Sequence, residues 1–212
     1  YDGTSRFKKG HRWGFFPSVS AGWRISEENF FESAKSVVSN LKLRASYGEL
    51  GNQAISGYYP YASSIGSTTT YGYWFDKELA AGVAQIQLAN EAITWEKSKQ
   101  INAGIDIGMF NNRLNATFDY YIKNTSNILI GLPVPMEYGF DKPNVNIGKV
   151  QNRGWELELH WNDKIGNVNY GIQANLSNNK NEVKDLAGTG PWKEGYTDVG
   201  LPMNSIYGYE AL

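Results

Sequence analysis

The chain has 212 residues, a formal net charge of −1 and no cysteine. The near-neutral charge gives no indication of nucleic-acid binding, and the lack of cysteine excludes disulfides, thiol catalysis and thiolate metal sites. No apolar run approaches the ~20 residues of a membrane helix, and the mean hydropathy of −0.47 argues against a helical membrane protein. A β-barrel is compatible with that value because half of each strand faces water, and 14% aromatic residues with 23 glycines are typical of barrels with aromatic girdles.

The first two strand patterns cover residues 13–25 and 41–47, where apolar residues recur at every second position. A side-chain period of two indicates β-strands. Residues 27–35, between the two patterns, predict a short helical turn. Pro17 falls inside the first pattern and removes a ladder hydrogen bond, which a central strand tolerates only with a bulge.

A long connection follows at residues 49–94, and glycine and serine are frequent in it. Weak alternation predicts a hairpin of residues 58–65 against 70–75, and a helix is expected within 79–92. Aromatic side chains are concentrated in this connection. Because such rings stack on sugar faces and on peptide side chains, we interpret them as candidate ligand contacts, with packing of the loop itself as an equal alternative. The candidates are Tyr58, Tyr59, Tyr61, Tyr73 and Trp74.

The clearest pattern is a hairpin of residues 101–109 and 114–122, joined by the tight turn 110–113. Apolar residues alternate over about nine positions in each strand, close to the length that a tilted strand needs to cross a bilayer. Placing Met109 opposite Leu114 puts both apolar sets on one side of the sheet. A slip of one residue would bring carboxylates to that side, so the pattern specifies this register.

A third hairpin of residues 155–161 and 168–176 repeats the pattern, and pairing Trp161 with Val168 again aligns the apolar faces. Connections alternate in length along the chain. An up-and-down membrane barrel has short turns on one side and long loops on the other. We therefore predict an all-β fold, a portion of an antiparallel up-and-down transmembrane β-barrel. The short or moderate connections are 26–38, 110–113 and 162–167, and the long ones are 49–94, 131–144 and 181–205.

The alternation assigns each strand residue to one of two environments. The predicted lipid-facing residues are Ile101, Ile105, Ile107, Phe118, Leu157, Leu159 and Ile172. The predicted lumen-lining residues are Lys42, Arg44, Asp106, Asp119, Glu156, Glu158 and His160. Lys97 and Lys99 lie on the same side of their strand as the apolar residues. We interpret them as solvated surface lysines; contact with lipid phosphates is the less favoured alternative.

No catalytic motif stands out, since the sequence lacks a nucleophile elbow, a phosphate-binding loop and a dinucleotide fingerprint. Glu156, Glu158 and His160 share one face of a strand, which raises the question of a metal site or an acid–base pair. Successive same-face residues lie ~7 Å apart on a strand, so one ion is hard to chelate from them alone. We predict no catalytic residue, no metal and no cofactor, and interpret this face as a wet lumen wall.

Several segments together resemble one protein family, in the order in which they occur along the chain. The segments are DGTSRF (2–7), RWGFFPSVSAGWR (12–24), LKLRASYG (41–48) with GN (51–52), FNNRL (110–114), DYY (119–121) and NIGKVQNRGWELE (146–158). This succession closely resembles the SusC/RagA family of TonB-dependent outer-membrane transporters from Bacteroidetes. The resemblance covers nearly the whole chain, and it depends on the set of motifs and not on any one of them.

The resemblance implies a barrel of about 22 strands with a plugged lumen. Residues 1–212 would be a middle-to-late part of that barrel, without the plug domain, the segment that binds TonB or the last strand. The implied function is not enzymatic: import of glycans or oligopeptides across the bacterial outer membrane. The implied partners are a SusD-like surface lipoprotein, TonB acting through regions outside this chain, and outer-membrane lipid.

Two other functions are compatible with the same patterns. A soluble β-sandwich carbohydrate-binding module would also show alternating strands and exposed aromatic residues, but it would bury the apolar stripes between two sheets. Its strands would average about 5–6 residues, shorter than the stripes here. A secreted or surface-layer structural protein needs neither ligand nor lumen, and the charged residues on the inner parity count mildly against it.

Overall fold

The structure is a computed structural model that describes residues 1–55, 58–85, 88–132, 135, 137, 139, 143–192 and 196–208. Its strands are β1 Asp2–Gly3, β2 Trp13–Gly14, β3 Ser18–Arg24, β4 Val38–Asn52, β5 Ile65–Phe75, β6 Glu78–Gln85, β7 Glu96–Met109, β8 Leu114–Ser126, β9 Leu129–Gly131, β10 Asn144–Asn146, β11 Lys149–Ile165 and β12 Val168–Asp185. Two short 3₁₀ helices at Ile25–Glu27 and Asn29–Ala34 confirm the helical turn predicted between the first two strands. Among the described residues, there is no helix with the length and apolar character needed to cross a membrane.

Six strands form the main sheet, in the order β12-β11-β8-β7-β4-β3. Each strand therefore lies beside the main-sheet strand that precedes or follows it in the sequence, as in an up-and-down arrangement. The β3–β4 and β11–β12 pairs are antiparallel. Short turns join β7 to β8 and β11 to β12, while long connections join β4 to β7 and β8 to β11. The predicted all-β class and its alternation of short and long connections are confirmed.

The turn between β7 and β8 consists of residues 110–113, as predicted. Phe110, Asn111 and Asn112 all have positive φ, between 54° and 61°. Asparagine tolerates this left-handed conformation better than most residues, because its short side chain bonds locally. The Asn115 side-chain amide donates to the Asn112 carbonyl at 2.8 Å and holds the turn closed.

The register predicted for the third hairpin is wrong by four residues. Trp161 pairs with Ile172, and Val168 pairs with Ile165. The strands continue to a two-residue turn at Gly166 and Asn167, where Gly166 has a φ of 61° that suits a tight hairpin. Because the shift is an even number of residues, the apolar sets still share one face.

The first strand pattern is also shorter than predicted. Trp13–Gly14 pairs with β1, and Ser18–Arg24 pairs with β4. Pro17 lies between these two strands and needs no bulge. Its carbonyl accepts a hydrogen bond from the Glu49 amide at 2.9 Å, so the segment before β3 stays attached to β4.

The chain divides into two compact units. The first contains residues 1–16, 51–97 and 126–148, and the second contains residues 17–50, 98–125 and 149–212. In the first unit Phe7 and Ile93 are fully buried beside Trp95, and Phe16, Ile55 and Leu129 pack against them. The ring of Trp95 meets Phe7 edge-on with 5.6 Å between centroids, a favourable aromatic geometry.

Two expectations for the first unit are wrong. The hairpin in the long connection pairs Ile65–Phe75 with Glu78–Gln85, not residues 58–65 with 70–75. The described part of 79–92 contains this strand and no helix. Alanine favours a helix, but every second residue of β6 shares a face, and pairing with β5 decides the conformation. Asp76 and Lys77, both with positive φ, form the turn.

Candidate functional site: the two faces of the main sheet

The polar face of the main sheet is organised around one arginine. Arg44 on β4 forms two hydrogen bonds to Asp106 on β7, at 2.9 and 3.0 Å, and one to Asp119 on β8, at 2.9 Å. All three side chains are about one-third exposed, so the cluster is accessible to water. The structure thus brings together three predicted lumen-lining residues from three adjacent strands. One guanidinium faces two carboxylates, which leaves the cluster with a net negative charge.

Hydrogen-bonded polar side chains continue along the same face. Asn102 donates to Ser46 at 3.0 Å, and Gln100 donates to Asn102 at 2.9 Å. A shallow depression beside the arginine includes Lys42, Arg44 and Asp119 among its lining residues. Lys42, also predicted to line the lumen, therefore belongs to this face.

The predicted residues of β11 lie on this face as well. Glu156 and Glu158 line a groove with Asp119 of β8. Glu158 contacts the His160 ring at 2.8 Å and accepts a longer bond from Gln173 at 3.4 Å. Within the described parts of the chain, no group of three or more histidine or acidic side chains is placed to hold a metal ion. Glu156 is not part of the Glu158–His160 contact, so the arrangement is that of a polar wall.

The opposite face of the sheet is apolar, and several of its large side chains are exposed in the part of the chain that the structure describes. Ile101 is 55% exposed, Phe118 40% and Ile172 64%. The other predicted lipid-facing residues, Ile105, Ile107, Leu157 and Leu159, are half-buried by their neighbours in the sheet. The Phe118 and Trp155 rings stack with 6.4 Å between centroids and continue this face from β8 to β11. None of the seven belongs to the buried hydrophobic core of the described residues.

Ion pairs mark both ends of the apolar face. At the end near the long connections, Lys99 on the apolar parity of β7 lies 3.1 Å from Glu49 of β4. At the end near the short turns, Arg113 lies 3.4 Å from Asp163, which shares the face of Trp161. Lys99 is about half exposed, which agrees with its interpretation as a solvated lysine. The apolar face is thus bounded by charge on both sides.

The loop aromatic residues form two groups in the first unit. Tyr59 contacts Tyr58 and Tyr61 with ring centroids 6.4 and 6.0 Å apart, and the Arg6 guanidinium lies 5.1 Å from the Tyr58 ring centre. Tyr73 and Trp74 lie near the tip of the β5–β6 hairpin and are 71% and 64% exposed. Both groups present aromatic surface to solvent, and the described contacts do not join them.

Two features of the sheet are not among those predicted from the sequence. Gly104 lies on β7 between Arg44 and Asp119, where an added Cβ would come within 2.3 Å of the Asp119 carboxylate. Arg153 and Lys180 are directly opposed on β11 and β12, beyond the apolar stripe. The sequence contains the information for the second feature. Arg153 and Lys180 are separated from Trp155 and Leu176, respectively, by an even number of residues, so they lie on the same side of their strands as these apolar residues.

Comparison with known proteins adds a family relationship to this geometry. Residues 1–206 match the family model described as "TonB dependent receptor-like, beta-barrel". The chain is 37% identical to TonB-dependent receptor P39 of Formosa agariphila, over 100% of this chain and 20% of that protein. It is 32% identical to TonB-dependent receptor SusC of Bacteroides thetaiotaomicron, over 94% of this chain and 20% of that protein.

Solved structures give the same result. The RagAB peptide importer in its closed-closed state matches with a TM-score of 0.83 and 30% identity, over 95% of this chain and 22% of that one. The open-open state of the same importer matches with a TM-score of 0.78 and 31% identity, over 93% of this chain and 21% of that one. The chain therefore spans about a fifth of the length of the relatives it matches.

Proposed function

Because the chain belongs to the TonB-dependent receptor-like β-barrel family, we propose that it forms part of the wall of an outer-membrane importer. In this proposal the apolar face of the main sheet contacts lipid, and the polar face around Arg44 lines the lumen. One observation carries it: a six-stranded antiparallel sheet exposes large apolar side chains on one face and hydrogen-bonded charges on the other. The wall of a membrane barrel accounts for both faces, because lipid contacts the apolar face and water in the lumen contacts the polar face.

The geometry favours this function over a soluble β-sandwich carbohydrate-binding module. A sandwich would cover the apolar face with a second sheet, and Phe118 and Ile172 would be buried. The strands β7, β8, β11 and β12 contain 14, 13, 17 and 18 residues, against about 5–6 in an average globular strand. Tilted strands of that length are long enough to cross a bilayer and to project beyond it.

The transported molecules would be glycans or oligopeptides. Two observations support this class: the relationship to SusC and to the RagAB peptide importer, and the exposed aromatic groups around Tyr59 and Trp74. Aromatic rings offer flat apolar surface to sugar faces and to peptide side chains. The partners would be a SusD-like surface lipoprotein and, through other parts of the full-length protein, TonB. Movement of the substrate past the wall makes no covalent bond, so the proposed role is transport and not catalysis.

Neighbouring residues on opposite faces provide the test. The chain has no native cysteine, so single cysteines introduced into an otherwise cysteine-free full-length transporter report on their own surroundings. We expect D119C to react with a water-soluble maleimide in intact outer membranes. F118C, one position earlier on β8, should react only with a lipid-soluble maleimide. Ile172→Cys and Gln173→Cys provide a second pair on β12.

Two results would contradict the proposed orientation. Rapid labelling of F118C by the water-soluble reagent would place the apolar face in water. Equal labelling of both members in each pair would indicate that the sheet does not separate lipid from solvent. Labelling after solubilisation in detergent controls for cysteines that are unreactive for local steric reasons.

A further inference from the structure

The strands β11 and β12 continue beyond the apolar face, and their outward positions there become basic. Trp155 and Leu176 hold outward positions near the end of the apolar stripe. Arg153 follows Trp155 at the next outward position of β11, and Lys180 lies opposite it on β12. Directly opposed residues of an antiparallel pair project to the same side with Cβ atoms about 5 Å apart. The two cations thus lie side by side and face away from the polar wall.

This juxtaposition is unfavourable without an anion. Like charges directly opposed across two strands repel each other. Both residues are exposed, and neither forms an ion pair with another residue in the part of the chain that the structure describes. The contrast with the neighbouring strands is direct, because outward Lys99 has Glu49 as its partner at 3.1 Å. The sheet therefore neutralises one outward cation and leaves two adjacent ones without a carboxylate of their own.

The one carboxylate described as interacting with these cations, that of Glu182, does not remove this excess charge. Glu182 is the next outward residue after Lys180 on β12, and its carboxylate bonds to Lys184. Lys184, and then Lys180 and Arg153, lower the pKa of Glu182 below its ordinary value, so this carboxylate is ionised and shared among three cations. On the adjacent strand, the nearby contact is neutral: the Gln151 amide donates to Asn124 at 2.8 Å. The patch of Arg153, Lys180, Glu182 and Lys184 retains a net positive charge.

The position of the patch indicates what binds there. Arg153 lies two residues beyond Trp155, about 7 Å along the strand and about 5 Å along the membrane normal for a strand tilted by 45°. This height is that of the headgroups next to the hydrocarbon. The patch lies at the same end of the sheet as the long connections, which in such barrels face the cell exterior. Arginine binds phosphate oxygens with two parallel N–H groups, and lysine adds a point charge.

We propose that Arg153 and Lys180 bind the phosphate group of a lipid in the outer leaflet and so anchor this part of the wall at the membrane surface. The proposal rests on the membrane orientation proposed above. It predicts a phosphate-dependent lipid site whose affinity depends on these two side chains and not on the overall charge of the protein.

Native mass spectrometry of the purified full-length transporter in detergent tests the site. The probes are dioleoyl phosphatidic acid and dioleoylglycerol, which have the same acyl chains and differ by the phosphate. We expect the double variant R153Q/K180Q to bind phosphatidic acid about ten-fold more weakly than the native protein. The control K77Q/K164Q removes the same total charge from exposed sites elsewhere and should bind like the native protein.

Three outcomes would overturn the lipid site. Unchanged phosphatidic acid binding in R153Q/K180Q would exclude these residues as its ligands. An equal loss in the control variant would indicate a non-specific effect of net charge. Finally, displacement of bound phosphatidic acid by millimolar inorganic phosphate, as effective as displacement by added phosphatidic acid, would identify a soluble anion as the ligand. The labelling of F118C and D119C in the same variants keeps the two proposals separate, because the membrane orientation can hold while this site fails.

Discussion

Arg44 on β4 donates a hydrogen bond to Asp119 on β8 across the whole width of β7, with 2.9 Å between Nη2 and Oδ2. Adjacent strands lie about 4.8 Å apart, so the two Cα atoms are separated by roughly two strand spacings. The guanidinium can cross because Gly104 on β7 presents no side chain. An added Cβ there would lie 2.9 Å from Nη2 of Arg44 and 2.3 Å from Oδ1 of Asp119.

Substitution of this glycine should open the cluster. We expect G104V to separate Arg44 from Asp119 and to lower the free energy of unfolding by about 1–3 kcal/mol, since a branched side chain forces the ion pair apart. Folding of the full-length protein into lipid vesicles, titrated with denaturant, measures the loss. Gly48→Val is the matched control, because the nearest neighbour of an added Cβ there is the Ser18 Cβ at an ordinary 3.7 Å. Equal effects of the two variants would contradict the proposed role of Gly104.

A double-mutant cycle measures the ion pair itself. For Arg44→Met with Asp119→Asn we expect a coupling energy of about 1 kcal/mol, because the groups are partly shielded from water and the bidentate contact with Asp106 already holds the Arg44 guanidinium in place. The cycle of Arg113→Met with Asp163→Asn is the comparison. That contact is longer, at 3.4 Å, and its arginine is 57% exposed, so its coupling should lie near zero. A coupling of Arg113 with Asp163 as large as that of Arg44 with Asp119 would contradict this ranking.

A charge on the apolar face should cost stability according to its depth. We expect I105R on β7 to reduce the stability of the protein in the bilayer by ~2–4 kcal/mol, because Ile105 lies midway along the apolar stripe. Ile165→Arg, on the same face beside the Gly166 turn, should cost only ~0–1 kcal/mol because the side chain reaches the interface. Equilibrium folding titrations in vesicles give both values. Equal costs, or no cost for I105R, would show that this face does not contact hydrocarbon.

The sequence predicts the faces of the sheet better than the lengths of its strands. Parity alone places Arg44, Asp106 and Asp119 on one wall, and the structure joins them by hydrogen bonds. Parity survives an even shift of register, so the four-residue error in the Trp161 pairing left every face unchanged. That error arose because residues 162–167 contain Asn, Asp, Lys and Gly, which are common in loops. In the structure, residues 162–165 extend the strand toward its turn.

The first unit was predicted less well, for a different physical reason. Its hairpin pairs Tyr73 with Ala80, so a small residue of β6 lies opposite a large aromatic one. Alternation is weak when one strand is rich in alanine and glycine, and local propensity then favours a helix. The turn has a positive φ at both Asp76 and Lys77. Aspartate is common at the first position of such turns, but the second position is usually glycine, and here it is lysine. The register predicted for residues 101–109 against 114–122 stays a prediction.

Acid should loosen the segment that follows β12. The Asp185 carboxylate accepts a hydrogen bond from the Ala187 amide at 2.8 Å and lies 3.4 Å from Lys149. The amide first, and then the lysine, hold the pKa of Asp185 below its ordinary value. A carboxylate whose pKa is lowered by folding contributes stability that is present above its unfolded pKa, near 3.9, and is lost as the pH falls through the folded pKa. The loss should therefore begin below about pH 4.

Hydrogen exchange of the Ala187 and Thr189 amides measures this local stability. Thr189 donates to the Leu186 carbonyl at 3.0 Å in the same turn, so the two amides should open together. In the native full-length protein we expect their protection, corrected for the intrinsic rate at each pH, to be lower at pH 2.5 than at pH 5, because protonation of Asp185 begins to cost stability below about pH 4. D185N should show weaker protection at pH 5 and little further change on acidification. D76N, a substitution in the β5–β6 turn, should behave like the native protein, and acid sensitivity that persists in D185N would assign the effect to another carboxylate.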